Sequence, residues 1–250
     1  MMKKRISKHV PNAITCANLF SGCVGIVFAF QDQLIFAAYA LFLAAIFDFF
    51  DGFASRVLKS FSGIGKDLDS LADMVSFGFL PSAIMYEMFL ESPQTPTISP
   101  YINFAAFLIS VFSALRLAKF NNDTRQADSF IGLPTPANAI FIASLPMILE
   151  HHTTFSKYIL NQYVLTALVL VMGGLLVSEI PMMSLKFKNV DFQKNIYRYL
   201  LLMFSAILIL FFKFTAIPVV ILMYIILSVI QIRFSNPAVM SSHQKQGKRS

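Results

Sequence analysis

The chain has 250 residues, of which 56% are hydrophobic and 13% are charged, and its formal net charge is +7. Soluble domains carry about 25% charged residues, so this composition excludes a soluble enzyme or a soluble binding module. A single polytopic membrane domain is indicated, because no polar stretch is long enough to bury a core of its own.

Eight apolar stretches approach the roughly 20 residues that a spanning helix needs. The third is weak because Asp69 and Asp73 lie at its start, and the fifth is short and contains Pro146. We therefore predict an all-α bundle of about eight transmembrane helices in a membrane domain over residues 1–234, followed by a disordered polar tail over 235–250. The predicted spans are 11–30, 34–56, 67–90, 102–119, 136–150, 160–178, 197–213 and 216–233.

The first span follows the basic start "MMKKRISKHVPNAI" and lacks a cleavage site of small residues. We interpret it as a retained membrane helix and not as a removed signal peptide. Pro11 and Asn12 are typical of a helix start. Cys16 and Cys23 are seven residues apart on this helix, which favours packing on one face over metal or disulfide chemistry.

The basic residues predict the topology. If the N-terminus is cytoplasmic and every stretch crosses once, 18 of the 20 Lys and Arg residues lie on the cytoplasmic side, and Lys157 and Lys213 are the exceptions. This asymmetry follows the positive-inside rule and predicts that both termini are cytoplasmic. The positive charge is thus a topology signal that also attracts anionic lipids, and it does not indicate nucleic-acid binding.

Four aspartates interrupt the second and third predicted helices near their cytoplasmic ends. Asp48 and Asp51 have i, i+3 spacing, and Asp69 and Asp73 have i, i+4 spacing, so each pair shares one helix face. Arg56 alone cannot balance four carboxylates. Oxygen ligands at this density suit two divalent cations, Mg²⁺ or Mn²⁺, which act as a clamp for displacement at phosphorus. The alternative, solvated helix ends, does not explain the spacing.

Residues 48–73 read D-x-x-D-G-x-x-S-R-x(8)-G-x-x-x-D-x-x-x-D. This pattern resembles the signature of the CDP-alcohol phosphatidyltransferases, D-x-x-D-G-x-x-A-R-x(8)-G-x-x-x-D-x-x-x-D. One position departs, because Ser55 stands where the family usually has Ala. Serine is also small, so the close approach of a nucleotide is still expected.

Further stretches resemble the bacterial and archaeal phosphatidylserine synthases within that family. The resemblance covers about residues 8–190 and leaves the extra helices at about 197–233 weakly covered. It implies a core of six helices around a polar cavity open to the cytoplasm, a homodimer in the cell inner membrane, and the reaction of CDP-diacylglycerol with L-serine to give phosphatidylserine and CMP. The stretches are "VPNAITCANLFSG", "LDSLADMVSFG", "ALRLAKFN", "FIGLPTPANA" and "VSEIPMMSLKFK".

The resemblance also implies roles for matched residues. Metal binding is expected from four aspartates, with Asp73 also the catalytic base, and contacts with CDP-diacylglycerol are expected from five residues at matched positions. The carboxylate of serine needs a cation, which we assign first to Arg116 and otherwise to Lys119 or Arg125, although all three are equally explained as topology charges. The expected metal ligands are Asp48, Asp51, Asp69 and Asp73, and the expected CDP-diacylglycerol contacts are Gly52, Arg56, Ser62, Asn12 and Thr15.

Three alternatives remain at this point. The first is the same family with another acceptor, namely glycerol 3-phosphate, inositol phosphate or choline, which the "DSLAD" and "GLPTP" matches disfavour. The second is a cation or solute transporter, but transporter sites lie near the midplane between internal repeats, and no repeat is visible. The third is a membrane scaffold without chemistry, which leaves the aspartate spacing unexplained.

Overall fold

A computed structural model of the chain describes residues 2–59, 63–95, 97–99, 101–123, 130–184 and 192–235. The predicted all-α class is confirmed. Most of the described residues are helical, and the strands are two residues long. The α-helices are α1 Met2–Phe30, α2 Leu34–Val57, α3 Gly63–Asp73, α4 Leu80–Glu91, α5 Leu108–Asn122, α6 Thr135–His151, α7 Ser156–Ile159, α8 Gln162–Val177, α9 Phe192–Phe212 and α10 Ala216–Ser235.

Other helical turns extend or join several of these helices. A π-helical turn, Met74–Phe79, connects α3 directly to α4, and a 3-10 turn, Ile102–Phe107, leads into α5. Two more 3-10 turns, Thr153–Phe155 and Lys213–Thr215, precede α7 and α10 respectively. Since π-helical turns are rare and often lie at functional sites, the position of Met74–Phe79 immediately after Asp73 is notable.

The chain forms two compact units. The first, unit 1, comprises Met1–Asn122 and Pro134–Val177, and the second, unit 2, comprises Asp123–Leu133 and Ser178–Ser250. Within the described residues, unit 1 holds α1 to α8, which include the first six predicted spans. Its core is formed by large side chains from α2, the π-helical turn, α4, α5, α6 and α8. The fully buried ones include Leu41, Phe77, Leu80, Phe89, Ile109, Ile142 and Leu165.

Small residues bring α1 close to its neighbours in unit 1. The Ser21 hydroxyl donates to the carbonyl oxygen of Ala40 on α2 over 2.8 Å. A Cβ atom added to Gly25 would lie 3.0 Å from the Cβ of Ala40, and one added to Gly22 would lie 3.0 Å from the Cα of Ser76. Such close approach is the main source of packing energy between helices in a membrane, and it fixes α1 against both α2 and the π-helical turn.

Unit 2 contains a short antiparallel ribbon. Strand β1, Phe130–Ile131, pairs with strand β2, Pro181–Met182, and the N–H of Gly132 donates to the carbonyl of Ile180 over 2.8 Å. Helix α10 holds the next residue, because the N–H of Met183 donates to the Ser228 hydroxyl over 3.1 Å and the Tyr224 hydroxyl donates to the Met183 carbonyl over 3.0 Å. Backbone groups that would otherwise be unpaired in an apolar surrounding are thereby satisfied.

The described helices identify an integral membrane protein. Five continuous helical stretches are long and apolar enough to cross a bilayer, and a sixth is added if the pair that bends by 72° between Thr153–Ile159 and Gln162–Val177 is one span. The five stretches are His9–Phe30, Leu34–Val57, Gly63–Glu91, Ile102–Asn122 and Asn195–Gln231. The total of eight crossings stays a prediction.

The last of these stretches folds back on itself. Arg198 on α9 donates through Nε to the carbonyl of Ser184 over 2.7 Å, and Ser228 on α10 accepts from the N–H of Met183. Because Met183 and Ser184 are adjacent, Arg198 and Ser228 must lie near each other, which a straight helix at 1.5 Å per residue does not allow. Lys213, with a left-handed φ of 49°, lies at the reversal.

The helix boundaries agree with the predicted ones within a few residues, except at the N-terminus. Helix α1 begins at Met2 instead of 11, so Pro11 lies inside it and is buried. The interpretation of Pro11 and Asn12 as a helix start is therefore wrong. Proline is tolerated there at the cost of one i to i−4 backbone hydrogen bond. The predicted tail beyond Ser235 lies outside the described residues.

Candidate active site

Three carboxylates converge where α2 faces α3. One carboxylate oxygen from each of Asp48, Asp51 and Asp69 lies within 4.8 Å of the others. Asp51 is buried, with 5% of its surface exposed, whereas Asp48 and Asp69 are half-buried. Each pair shares a helix face as the spacing predicts, and these faces of α2 and α3 lie toward each other at the three carboxylates.

Asp73, the last residue of α3, is directed at the same cluster. Its carboxyl interacts with that of Asp48, and its Oδ1 accepts a hydrogen bond from Nδ2 of Asn18 on α1 over 3.4 Å. The backbone carbonyl of Asn18 in turn accepts from the Ser76 hydroxyl over 3.1 Å. Helix α1 therefore contributes a side chain that the sequence analysis missed, although a buried asparagine within an apolar span is itself a sign of function.

The cluster fits a hard divalent cation. Its donors are carboxylate oxygens only, which is the ligand set that Mg²⁺ and Mn²⁺ prefer. Oδ2 of Asp51 is buried and has no hydrogen-bond partner among the described residues. Two carboxylates less than 5 Å apart repel each other by about 3–4 kcal/mol at an effective dielectric constant of about 20. A bound cation would offset that repulsion and occupy the oxygen of Asp51 that lacks a partner.

Two of the residues predicted to contact a nucleotide lie on α1, and one of them lies beside the carboxylates. Thr15 is buried, and its hydroxyl donates to the carbonyl of Pro11 over 3.0 Å. The same side chain also lies within hydrogen-bond reach of Asp51. Asn12 is half-buried one turn earlier on α1. The structure thus places Thr15 at the carboxylate cluster.

Two more predicted nucleotide contacts lie on α2. A Cβ atom added to Gly52 would meet only Nη2 of Arg56, at 3.9 Å, among the described residues. The protein's own packing therefore does not require glycine there, which leaves room for a ligand beside Asp51. The Arg56 side chain is exposed one turn further along the helix. Ser62 lies outside the described residues.

The three cations predicted to bind serine are placed differently. Arg116 on α5 is buried, with 6% of its surface exposed. Its Nη1 donates to the Thr135 hydroxyl on α6 over 3.4 Å, and its guanidinium lies 5.4 Å from the centre of the Phe120 ring. Lys119 is exposed on the same helix, and Arg125 lies outside the described residues. A basic residue that only sets the orientation of the chain in the membrane does not need to be buried, so the burial of Arg116 favours a functional role.

The chain resembles known proteins over most of its length. Residues 8–177 match the family described as CDP-alcohol phosphatidyltransferase. A protein of Helicobacter pylori named CDP-diacylglycerol–serine O-phosphatidyltransferase is 32% identical over 201 residues, which covers 80% of this chain and 81% of that protein. A protein of the same name from Bacillus subtilis is 35% identical over 129 residues, covering 51% of this chain and 70% of its own.

An archaeal relative widens the comparison. The archaetidylserine synthase of Methanothermobacter thermautotrophicus is 32% identical over 149 residues, covering 58% of this chain and 61% of that protein. The stretch matched by the family, residues 8–177, contains all four clustered aspartates and the helices that carry them. The signature read from the sequence, the convergence of its carboxylates and the family match agree, and the chain belongs to the CDP-alcohol phosphatidyltransferase family.

Proposed function

We propose that this chain transfers the phosphatidyl group of CDP-diacylglycerol to L-serine, giving phosphatidylserine and CMP in phospholipid biosynthesis. The observation that carries the proposal is the convergence of Asp48, Asp51 and Asp69, with Asp73 beside them, in a helical membrane domain. The choice of serine is supported by relatives of that name in several bacteria, one of them aligned over 80% of this chain.

The four aspartates would hold two divalent cations, Mg²⁺ or Mn²⁺. Asp48, Asp51 and Asp69 would be ligands, and Asp73 would complete the second site. The cations supply charge neutralisation at the phosphate oxygens. The helices fix the carboxylates before substrate arrives, so their reorganisation costs little during the reaction.

Asp73 is the catalytic base. Its carboxylate accepts the proton of the serine hydroxyl while the serine oxygen forms a bond to the phosphorus that carries the diacylglycerol oxygen. The bond from this phosphorus to the bridging oxygen breaks, and CMP leaves with that oxygen and its electron pair. Asn18 orients the carboxylate of Asp73 by its hydrogen bond to Oδ1.

The remaining predicted residues bind the two substrates. Gly52 and Arg56 contact the CDP head, and Arg56 donates two hydrogen bonds to phosphate oxygens. Three further residues complete the contacts with the nucleotide. The acyl chains stay in the bilayer while the head group reaches the carboxylates from the side. Arg116 binds the serine carboxylate, with Lys119 and Arg125 as the other candidates. The three further nucleotide contacts are Asn12, Thr15 and Ser62.

We further infer a homodimer in the cell inner membrane, with both termini and the active site on the cytoplasmic side. The positions of 18 of the 20 Lys and Arg residues support this orientation. A cytoplasmic site also suits the acceptor, because a free polar amino acid then reaches the carboxylates from the aqueous side.

The test is CMP release by the purified protein. Protein, CDP-diacylglycerol and Mn²⁺ or Mg²⁺ are incubated with L-serine, glycerol 3-phosphate, inositol phosphate or choline in parallel. Among the four acceptors, we expect only L-serine to give CMP release. We expect no CMP release after exhaustive chelation of the divalent cations. Release with glycerol 3-phosphate and none with L-serine would replace the acceptor but keep the family. Undiminished turnover after chelation would refute the metal sites.

A further inference from the structure

Two buried polar side chains on α5 and two on α6 form a group that we call the α5–α6 polar cluster: Ser113, Arg116, Thr135 and Asn138. Ser113, Thr135 and Asn138 have no exposed surface, and Arg116 has 6%. Polar groups buried between membrane helices are costly and are therefore kept mainly for function. The carboxylate chemistry does not use Ser113, Thr135 or Asn138.

The geometry joins the two helices at this cluster. Arg116 donates through Nη1 to the Thr135 hydroxyl over 3.4 Å. Ser113 has i, i+3 spacing from Arg116 on α5, and Asn138 has i, i+3 spacing from Thr135 on α6, so each lies on the face of its helix that carries this contact. All four side chains belong to unit 1.

The cluster adjoins the segment that carries Asp73. A Cβ atom added to Gly78 would lie 3.2 Å from the Cβ of Ser113, and Gly78 belongs to the π-helical turn Met74–Phe79 that follows Asp73 without a break. At about 1.5 Å of rise per helical residue, Gly78 lies about one and a half turns from Asp73. The five residues rise by about 7–8 Å, a distance that an amino acid spans when it is hydrogen-bonded at both ends.

Two members of the cluster have unused hydrogen-bonding capacity. Oδ1 and Nδ2 of Asn138 and Oγ of Ser113 are buried and have no partner among the residues that the structure describes. Neighbouring buried serines are satisfied locally, because Ser144 donates to the carbonyl of Phe141 over 2.6 Å and Ser82 to that of Gly78 over 2.9 Å. Buried polar atoms without partners are rare in native proteins, and they point here to a ligand that supplies the partners.

We propose that the α5–α6 polar cluster binds the amino-acid part of the acceptor, and that Asn138 and Ser113 determine acceptor specificity. This inference rests on the proposed transfer to L-serine. A zwitterion needs donors for its carboxylate and acceptors for its ammonium, and a single amide side chain offers both. Nδ2 of Asn138 donates to the carboxylate beside Arg116, and Oδ1 of Asn138 and the Ser113 hydroxyl accept from the ammonium.

The cluster also explains how other acceptors are rejected. Choline has no N–H group to donate to Asn138 and no carboxylate for Arg116. Glycerol 3-phosphate has no ammonium, so only its second hydroxyl could donate to Oδ1 of Asn138, and its phosphate would replace the carboxylate at Arg116. A site that is built to pair with polar groups discriminates strongly against molecules that lack them.

The experiment compares Asn138→Leu and Ser113→Ala with the wild-type protein, and it uses Ser144→Ala as the matched control because Ser144 is equally buried but locally bonded. CMP release is titrated separately with L-serine and with CDP-diacylglycerol. We expect Asn138→Leu to raise the apparent KM for L-serine at least about tenfold, or about 1.4 kcal/mol. Ser113→Ala should raise it less. The KM for CDP-diacylglycerol should stay within about twofold of the wild-type value, because a change confined to the serine site alters the binding of serine only.

Binding is measured as well, so that the inference does not depend on turnover. L-serine added with CDP and Mn²⁺ should raise the Tm of the wild-type protein and of Ser144→Ala but not that of Asn138→Leu. Asn138→Ala replaces Asn138→Leu if the larger side chain prevents folding. An unchanged KM for L-serine in the Asn138 variant overturns the inference. So does an equal rise of both KM values with a lower Tm, which means a structural role.

Failure of the proposed function is distinguishable from failure of this inference. A wild-type protein that releases CMP only with another alcohol contradicts the proposed transfer to serine. If L-serine still raises the Tm of that protein and not that of Asn138→Leu, the cluster is an amino-acid site. If L-serine raises neither Tm, the cluster inference is overturned too.

Discussion

Asn18 shows how one residue on a distant stretch of the chain controls the orientation of the proposed base. Its Nδ2 donates to Oδ1 of Asp73, while its backbone carbonyl accepts from Ser76, three residues beyond Asp73. The asparagine thereby links α1 both to the last residue of α3 and to the π-helical turn that follows α3. A carboxylate held in this way has its orientation fixed before substrate binds.

We predict that Asn18→Leu lowers kcat about tenfold or more with little change in the KM for L-serine, because a hydrogen bond to a charged group contributes about 1.5–3 kcal/mol. The measurement is steady-state CMP release. Cys16→Ala is the control, since Cys16 is exposed on the same helix. A kcat equal to that of the wild-type protein would show that Asp73 does not need Asn18.

The comparison of Asp73→Asn with Asp48→Asn separates the base from the metal ligands. Asparagine keeps an oxygen ligand but accepts a proton very poorly. We predict that Asp73→Asn still binds Mn²⁺ and CDP while turnover falls about 10²–10⁴-fold, the usual contribution of a positioned base. Asp48→Asn should weaken metal binding itself. A metal titration followed by nucleotide binding distinguishes them, and equal losses of metal affinity would make Asp73 simply the fourth ligand.

The carboxylate cluster was predictable from the sequence because it depends on local geometry. Spacings of three and four residues on two consecutive helices bring Asp48, Asp51 and Asp69 together wherever those helices pack. Asn18 and Asn138 were not predicted, because their positions depend on which face of α1 or α6 meets another helix. A few polar residues scattered along a mostly apolar helix do not reveal that face.

At the scale of the helices, the bilayer thickness made most boundaries predictable, since each span needs a similar number of apolar residues. The π-helical turn Met74–Phe79 was not predicted, because nothing in its sequence "MVSFGF" distinguishes a π-helical turn from an α-helical one. Its register is set by contacts instead, namely Ser76 against Asn18 and Gly78 against Ser113. Those contacts join residues far apart in the chain, and no local pattern records them.

Two adjacent glycines on α8 provide a test of how closely α5 and α8 pack. A Cβ atom added to Gly173 would collide with the ring of Phe112, whereas one added to Gly174 would meet nothing within 4 Å. We predict that Gly173→Ala destabilises the protein by about 1–3 kcal/mol, as overpacking usually does. Gly174→Ala should be neutral or stabilise by up to about 1 kcal/mol, because alanine is the better helix former.

The measurement for this pair is reversible unfolding in detergent micelles with increasing SDS. Both variants remove the same glycine flexibility, so the difference between them reports on the contact with Phe112 alone. Equal stability of the two variants would mean that the Phe112 ring moves aside without cost and that α5 and α8 are loosely packed.

For the whole molecule, the distribution of basic residues predicts which loops face which side of the membrane. We predict that Lys157→Cys, in a chain whose Cys16 and Cys23 are replaced by Ser, reacts with a membrane-impermeant maleimide in intact cells. Asn122→Cys, also exposed, should react only after the membrane is opened. Labelling of Asn122→Cys in intact cells would contradict the predicted orientation. Protection of Lys157→Cys would contradict the prediction that the chain crosses the membrane an odd number of times between residues 122 and 157.

The ribbon of β1 and β2 has a consequence for how this protein can be divided. The stretch matched by the family ends at 177, yet Gly132, which lies inside that stretch, donates its N–H to Ile180 outside it. A chain truncated after Val177 would lose strand β2, and with it the partner of the segment that leads into α6. The last two helices are therefore not a detachable module. A chimaera that exchanges them between relatives should exchange residues 123–133 with them.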